Sequence, residues 1–92
     1  MANTVTHDEE NRRYVISVDG EEAGFTAYAP LGESLEFNHT VVDPKFQGQG
    51  LSKELITAAM DDVRERGKKI YPACSAVYGF MVKNPDYRDL LA

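Results

Sequence analysis

Two glycines one residue apart, Gly48 and Gly50, stand between a β-like run and an amphipathic repeat. The stretch Val41-Val42-Asp43-Pro44-Lys45-Phe46-Gln47-Gly48-Gln49-Gly50-Leu51 ends a strand, turns at a proline and opens a helix. Glycines there let the backbone curl and come close to a ligand. The first N–H groups of the helix lack intrahelical partners, and its dipole adds positive potential. Such a helix start binds phosphate or pyrophosphate, and Lys45 and Lys53 would add charge beside it. A G-x-G pattern alone also suits a plain strand-to-helix turn. Two other phosphate motifs fail. The dinucleotide fingerprint needs a third glycine where Lys53 stands, and G-x-x-x-x-G-K-[ST] is absent.

Two further side chains have reactive chemistry. An imidazole is the side chain suited to proton transfer near neutral pH, so His39 could act as a general base. Against that, period-2 alternation puts it on one face with Leu35, Phe37 and Val41, where a packed histidine would do no chemistry. Cys74 precedes an expected helix start, a setting that favours thiolate and nucleophilic attack. Most free cysteines are instead small buried hydrophobes. His7 falls in an acidic, polar N-terminal stretch and reads as a bystander.

The elements that must position these groups follow from pattern. Residues 1–11 read as a flexible terminus, and 12–92 as a single domain. Tyr14–Val18 and Gly24–Ala29 flank Asp19-Gly20 and form a hairpin. Leu35–Val42 alternates and completes a three-stranded antiparallel meander. Leu51, Leu55, Ala59 and Val63, joined by Ile56 and Met60, make one buried stripe on a helix running to about Arg66. Gly67 then supplies its stop. Ile70-Tyr71 is a short strand at most. Residues 75–83 are β-like in composition, yet their i,i+4 apolar pairs and a Ser75 cap predict a helix, which Asn84-Pro85 ends. The fold class is α+β: a mostly antiparallel sheet, the Gly-loop helix packed on it, and a second helix near the C-terminus.

Composition narrows the function. The 92 residues carry a net charge of -5, which does not suit general nucleic-acid binding, and no membrane partner is expected. Residues 1–43 set nine acids against two bases, whereas residues 44–92 carry eight bases and six acids. An anionic ligand therefore belongs with the second half. The acidic half would suit a cationic partner or simply a solvated surface. No run approaches ~18 apolar residues, and the N-terminus has no secretory pattern. One cysteine and two histidines fall short of a structural zinc set, so no metal is expected. The expected compartment is the cytoplasm, and the default state a monomer.

The stretch Val41 to Leu51, followed by Lys53-Glu54-Leu55, resembles the acetyl-CoA-binding signature of the GNAT N-acetyltransferase superfamily, Q/R-x-x-G-x-G/A. Gly48 and Gly50 match its glycines, while Lys45 replaces the usual Gln or Arg. His39-Thr40-Val41, Pro44, Pro72-Ala73-Cys74-Ser75 and Asn84-Pro85-Asp86-Tyr87 resemble the minimal single-domain branch of that superfamily. The resemblance spans about Arg12 to Tyr87. It implies a GNAT-like fold and an acetyltransferase using acetyl-CoA or coenzyme A. Lys45, Gln47, Gly48, Gln49, Gly50, Leu51, Ser52 and Lys53 would then cradle the pyrophosphate, and Val41 and Val42 would meet the pantetheine arm. Tyr78 would protonate the departing CoA thiolate; its bland alternative is a core aromatic. Ordinary GNAT domains place two helices between their first two strands. Here Asp19-Gly20 alone is expected at that place, which predicts an open acceptor site suited to a protein amine or other large acceptor. Two other functions fit the sequence. A non-catalytic CoA-binding module would bind CoA and transfer nothing, and a protein-interaction domain would bind no cofactor.

Overall fold

A computed structural model describes residues 2–92 of the chain. The strands are β1 (Asn3–Asp8), β2 (Arg13–Val18), β3 (Glu21–Leu31), β4 (Ser34–Val42) and β5 (Lys69–Pro72). Helix α1 (Leu51–Glu65) connects β4 to β5, and α2 (Ser75–Lys83) follows β5. Short 3-10 turns cover Pro44–Phe46 and Pro85–Leu90. The sheet order follows the chain, β1-β2-β3-β4-β5. β1 to β4 pair antiparallel, while β4 and β5 pair parallel, as a helical crossover requires.

The hairpin at Asp19-Gly20 forms as expected. Both residues are left-handed (φ 51° and 87°), which matches the twist of the flanking strands. The stop of α1 also matches the sequence. Lys68 N–H donates to the Val63 carbonyl (3.2 Å) and Gly67 N–H to that of Arg64 (3.0 Å), which satisfies the last carbonyls of the helix.

Two features differ from the sequence reading. The first is the N-terminus. Asn3–Asp8 is an edge strand paired along β2 from Asn3↔Val18 to Asp8↔Arg13, where a flexible terminus was expected. Its inward side carries Val5, which packs on the core, and His7. The connection between the first two strands is therefore the short turn at residues 9–12, rather than Asp19-Gly20. No helix is inserted there.

The second is the face of β4. Tyr28 pairs with Phe37 and Ala27 with His39, so Asn38 is an extra residue that bulges out of the ladder. A bulge inverts the alternation beyond it. Leu35 and Phe37 enter the core, but Thr40 and Val42 continue that side. His39 and Val41 turn to the opposite face, against the expectation that they share a face with Leu35 and Phe37.

Both helices pack on the same face of the sheet. Leu55, Ala59 and Val63 of α1 and Val77 and Met81 of α2 meet Ile16, Phe37 and Ile70 in one cluster. Among the described residues no helix covers the other face, which carries Arg13, Phe25, His39, Val41 and Tyr71. Gly24 sits where β3 and β4 approach closely. A Cβ there would lie 2.5 Å from the Val41 carbonyl oxygen.

Candidate active site

The parallel ladder between β4 and β5 ends early. Its last pair is Phe37↔Pro72, and Ala73 N–H and Cys74 N–H then both donate to the Phe37 carbonyl (2.9 and 3.0 Å). The chain leaves the sheet to start α2. β4 runs on from Asn38 to Val42, and among the described residues no strand lies beside it on that edge. This leaves a gap flanked by strand edge on one side and a helix start on the other.

The glycine loop closes one end of the gap. Asp43 caps the turn by accepting from Lys45 N–H (2.9 Å), and Phe46 anchors it in the core. Gly48 and Gly50 both adopt left-handed backbone (φ 86° and 72°), which other residues reach only with strain. Gly50 is the N-cap of α1 and provides no side-chain cap. The first helical bond in the ladder runs from Glu54 N–H to the Gly50 carbonyl (3.3 Å), so the amides of Leu51, Ser52 and Lys53 have no intrahelical acceptor. A Cβ on Gly48 or Gly50 would meet no atom within 4 Å.

A groove of about 540 Å³ runs between the two helices, a size suited to a small-molecule ligand. Gly50, Ser52, Lys53 and Ile56 line it from α1. Ser75, Ala76, Gly79, Phe80, Lys83 and Asn84 line it from the other side. Two lysines, two serines and the uncapped amides of the helix start thus face one groove, with Ala76 and Gly79 among its lining.

Cys74 stands at the head of α2 and is its N-cap, one residue earlier than the Ser75 cap expected from sequence. Its sulfur is 3.2 Å from Thr40 Oγ1, and Thr40 Oγ1 is 2.9 Å from Thr26 Oγ1. Thr26 is fully buried, whereas Cys74 is partly exposed. The sequence reading missed both threonines because the bulge at Asn38, which brings Thr40 inward, has no local signal.

A GCN5-related N-acetyltransferase profile matches residues 13–90. The chain belongs to the GCN5-related N-acetyltransferase family. Protein NATD1 of Xenopus tropicalis is 30% identical over 83 residues, covering 88% of this chain and 76% of that protein. The spermidine N(1)-acetyltransferase of Escherichia coli K12 is 36% identical over 63 residues, covering 60% of this chain and 31% of that enzyme. A GCN5-like protein from Staphylococcus aureus, solved by NMR, superposes with a TM-score of 0.74 at 24% identity, over 100% of this chain and 91% of its own. The α+β GNAT fold and the reading as an N-acetyltransferase both hold.

Within that family fold, the expected site residues do not all fall together. Gly48, Gln49, Gly50, Leu51, Ser52 and Lys53 form the loop and helix start. Gln47 donates its side-chain amide to the Val42 carbonyl (3.5 Å), and Val41 and Val42 lie on the free stretch of β4. Lys45 is tied to Glu21 (2.8 Å); that hydrogen bond first, then the carboxylate charge, pushes its amine above the usual lysine range. Its charge is thus already partnered. Cys74 lies on the core side of the gap. His39 lies across β4, exposed, with its ring 5.9 Å from that of Phe25. Tyr78 is 60% exposed, so it is not the core aromatic of the bland alternative. No group of three or more metal-ligating side chains occurs among the described residues.

His7 is not the bystander expected. Its ring lies flat on Tyr14, its Nε2 is 2.6 Å from the Tyr28 hydroxyl, and its Nδ1 is 3.5 Å from Asp62. Tyr14 donates to Asp62 (2.6 Å), and Arg66 does the same (2.6 Å). This network fastens β1 to the far end of α1, away from the glycine loop.

Proposed function

We propose that the chain uses acetyl-CoA to acetylate an amine, with the cofactor held along the gap between β4 and the α1–α2 groove. The carrying observation is the early end of the β4–β5 ladder beside an uncapped, glycine-led helix start. The amides from Gly48 to Ser52 suit the pyrophosphate, and Lys53 and Lys83 add positive charge at the groove. The free edge from Asn38 to Val42 offers backbone donors and acceptors to the amide-rich pantetheine arm. The thioester would then lie near Thr40 and Cys74.

The reaction converts amine and acetyl thioester to acetamide and CoA thiol. The contact between Thr40 and Cys74 favours a route in two steps. Cys74 thiolate attacks the acetyl carbonyl, its S–C bond forms, and the C–S bond to CoA breaks to release CoA thiolate. The amine then attacks the Cys74 thioester, gives up a proton to solvent base, and regenerates the thiolate. Direct attack by the amine is the competing route. There His39, on the open face of β4, would take the proton.

The uncovered sheet face and the tight turn at residues 9–12 leave the acceptor side without walls, which suits a large acceptor such as a protein amine. The acidic first half suits a cationic one. A reduced Cys74 suits a cytoplasmic setting. The test is a screen of polyamines, peptides and proteins for acetyl-CoA-dependent gain of an acetyl group. The reading requires at least one acceptor that gains an acetyl group only when the chain and acetyl-CoA are both present. Binding of CoA with no transfer to any acceptor or to Cys74 would leave a binding module instead.

A further inference from the structure

The sequence puts threonines at 26 and 40, in strands that pair directly, Thr26 opposite Thr40. Only the bulge at Asn38 turns Thr40 to the inner side, where it meets Cys74 across a separation of 34 residues. Thr26 is buried completely, and buried hydroxyls are kept where they have a partner. Its partner is Thr40, and the partner of Thr40 is the sulfur. Three polar atoms thus form one chain that ends at the gap.

We infer that Thr26 and Thr40 are positioning residues, a hydroxyl relay that holds the Cys74 sulfur at the gap and donates a hydrogen bond to its thiolate. This rests on the acetyl-Cys74 route proposed above. With the thiol protonated, S–H donates to Thr40 Oγ1. When the thiol gives its proton to a base in solvent, the Thr40 hydroxyl rotates and donates to sulfur, and the Thr26 hydroxyl donates to Thr40. Each donor then has an acceptor, and the chain polarises in one direction. A hydrogen bond to an ion is stronger than one to its neutral form, so the relay favours thiolate.

The surroundings of Cys74 leave this task to the hydroxyls. β4 contributes Thr40 beside the sulfur and the Phe37 carbonyl beside the Cys74 N–H, β3 contributes Thr26 behind Thr40, and no amide of α2 donates a capping hydrogen bond to the Cys74 side chain. The titratable His39 is on the other face of β4, and Tyr78, one turn along α2, is exposed. Lys53 and Lys83 line the groove beyond.

The test is the rate of Cys74 alkylation by iodoacetamide as a function of pH, with no acetyl-CoA present. Thr40→Val should slow alkylation about 10-fold at neutral pH. Well above pH ~8.5, where the ordinary thiol is ionised, the same variant should react as fast as the parent or faster, because a more basic thiolate is the better nucleophile. Thr40→Ser should restore the parent profile, and Thr26→Val should slow the neutral rate in the same direction by a smaller factor. Parent-like alkylation of Thr40→Val overturns the relay. So does equal slowing at both pH values, which would mean altered access. Cooperative melting is checked first; if Thr40→Val does not fold, Thr26→Val decides, and its parent-like profile overturns the relay. Acetyl-CoA stabilisation is measured separately on the parent chain, so loss of the cofactor reading cannot be mistaken for loss of the relay.

Discussion

The imidazole of His7 stacks on the phenol of Tyr14, with ring centroids 4.1 Å apart and planes within 8°. Its Nδ1 is buried and has no hydrogen-bond partner among the described residues, although Asp62 is 3.5 Å away. Burial first, then the Arg66 guanidinium, hold the imidazole below its usual range, against the opposite pull of Asp62, Glu9 and Asp8. The unfolded chain therefore protonates His7 before the folded one. The resulting stability is fully present above about pH 6.5 and is lost as pH falls from there through the lowered folded value. One proton limits the slope to about 1.4 kcal/mol per pH unit. Melting temperature should thus fall on acidification below 6.5, and His7→Phe, which keeps the stack, should flatten that fall. An unchanged slope in His7→Phe would assign it elsewhere.

Asp62 titrates in a different window. Burial pushes its carboxyl up, but hydrogen bonds from Tyr14 and Arg66 outweigh that and hold it below the ordinary range. Its stability is present above about pH 3.8 and lost below. Tyr14→Phe removes one donor to this carboxylate. It should cost about 1.5–3 kcal/mol, the worth of a hydrogen bond to a charged group, read as a lowered urea midpoint with unchanged slope.

Gly79 tests the groove without touching the glycine loop. It lies on α2, and a Cβ there would meet nothing within 4 Å. Gly79→Ala should stabilise the chain by about 0.5–1 kcal/mol, since alanine is the better helix former. Gly79→Leu should fold equally well but fill the groove, and CoA should no longer raise its melting temperature. A full CoA effect in Gly79→Leu would move the cofactor out of the groove.

The two chemical routes separate at Cys74 and His39. Under the acetyl-cysteine route, acetyl-CoA alone should leave a hydroxylamine-sensitive acetyl group on Cys74, and Cys74→Ala should abolish turnover with kinetics otherwise ping-pong. Direct attack predicts no adduct, and a loss of about 10²–10⁴-fold in His39→Ala.

Much of the frame was legible in the chain. Asp19-Gly20, the stripe from Leu51 to Val63 and Gly67 each carry a local signal, because turn chemistry and helical period are local physics. The loop at Gly48 and Gly50 was legible for the same reason. What escaped was set by pairing across the sheet. Asn3–Asp8 is too polar to announce a strand, and it becomes one because β2 offers an edge and Tyr14 a ring for His7. The bulge at Asn38 follows from the register with β3, and it reassigns every side chain from His39 to Val42. Period-2 alternation in the sequence therefore hides Thr40 and gives His39 the wrong face.

The central claim is that the helix start led by Gly50 holds acetyl-CoA, and thermal unfolding with added acetyl-CoA tests it most directly. At about 100 times its dissociation constant, the cofactor should add about 2.7 kcal/mol and raise the melting temperature by on the order of 10 °C, less at high salt. Gly50→Val, which forces a β-branched residue to φ 72°, should melt lower by itself and lose the cofactor effect. A flat melting temperature in the parent chain at millimolar acetyl-CoA and low salt, or an undiminished cofactor effect in Gly50→Val, would contradict the account.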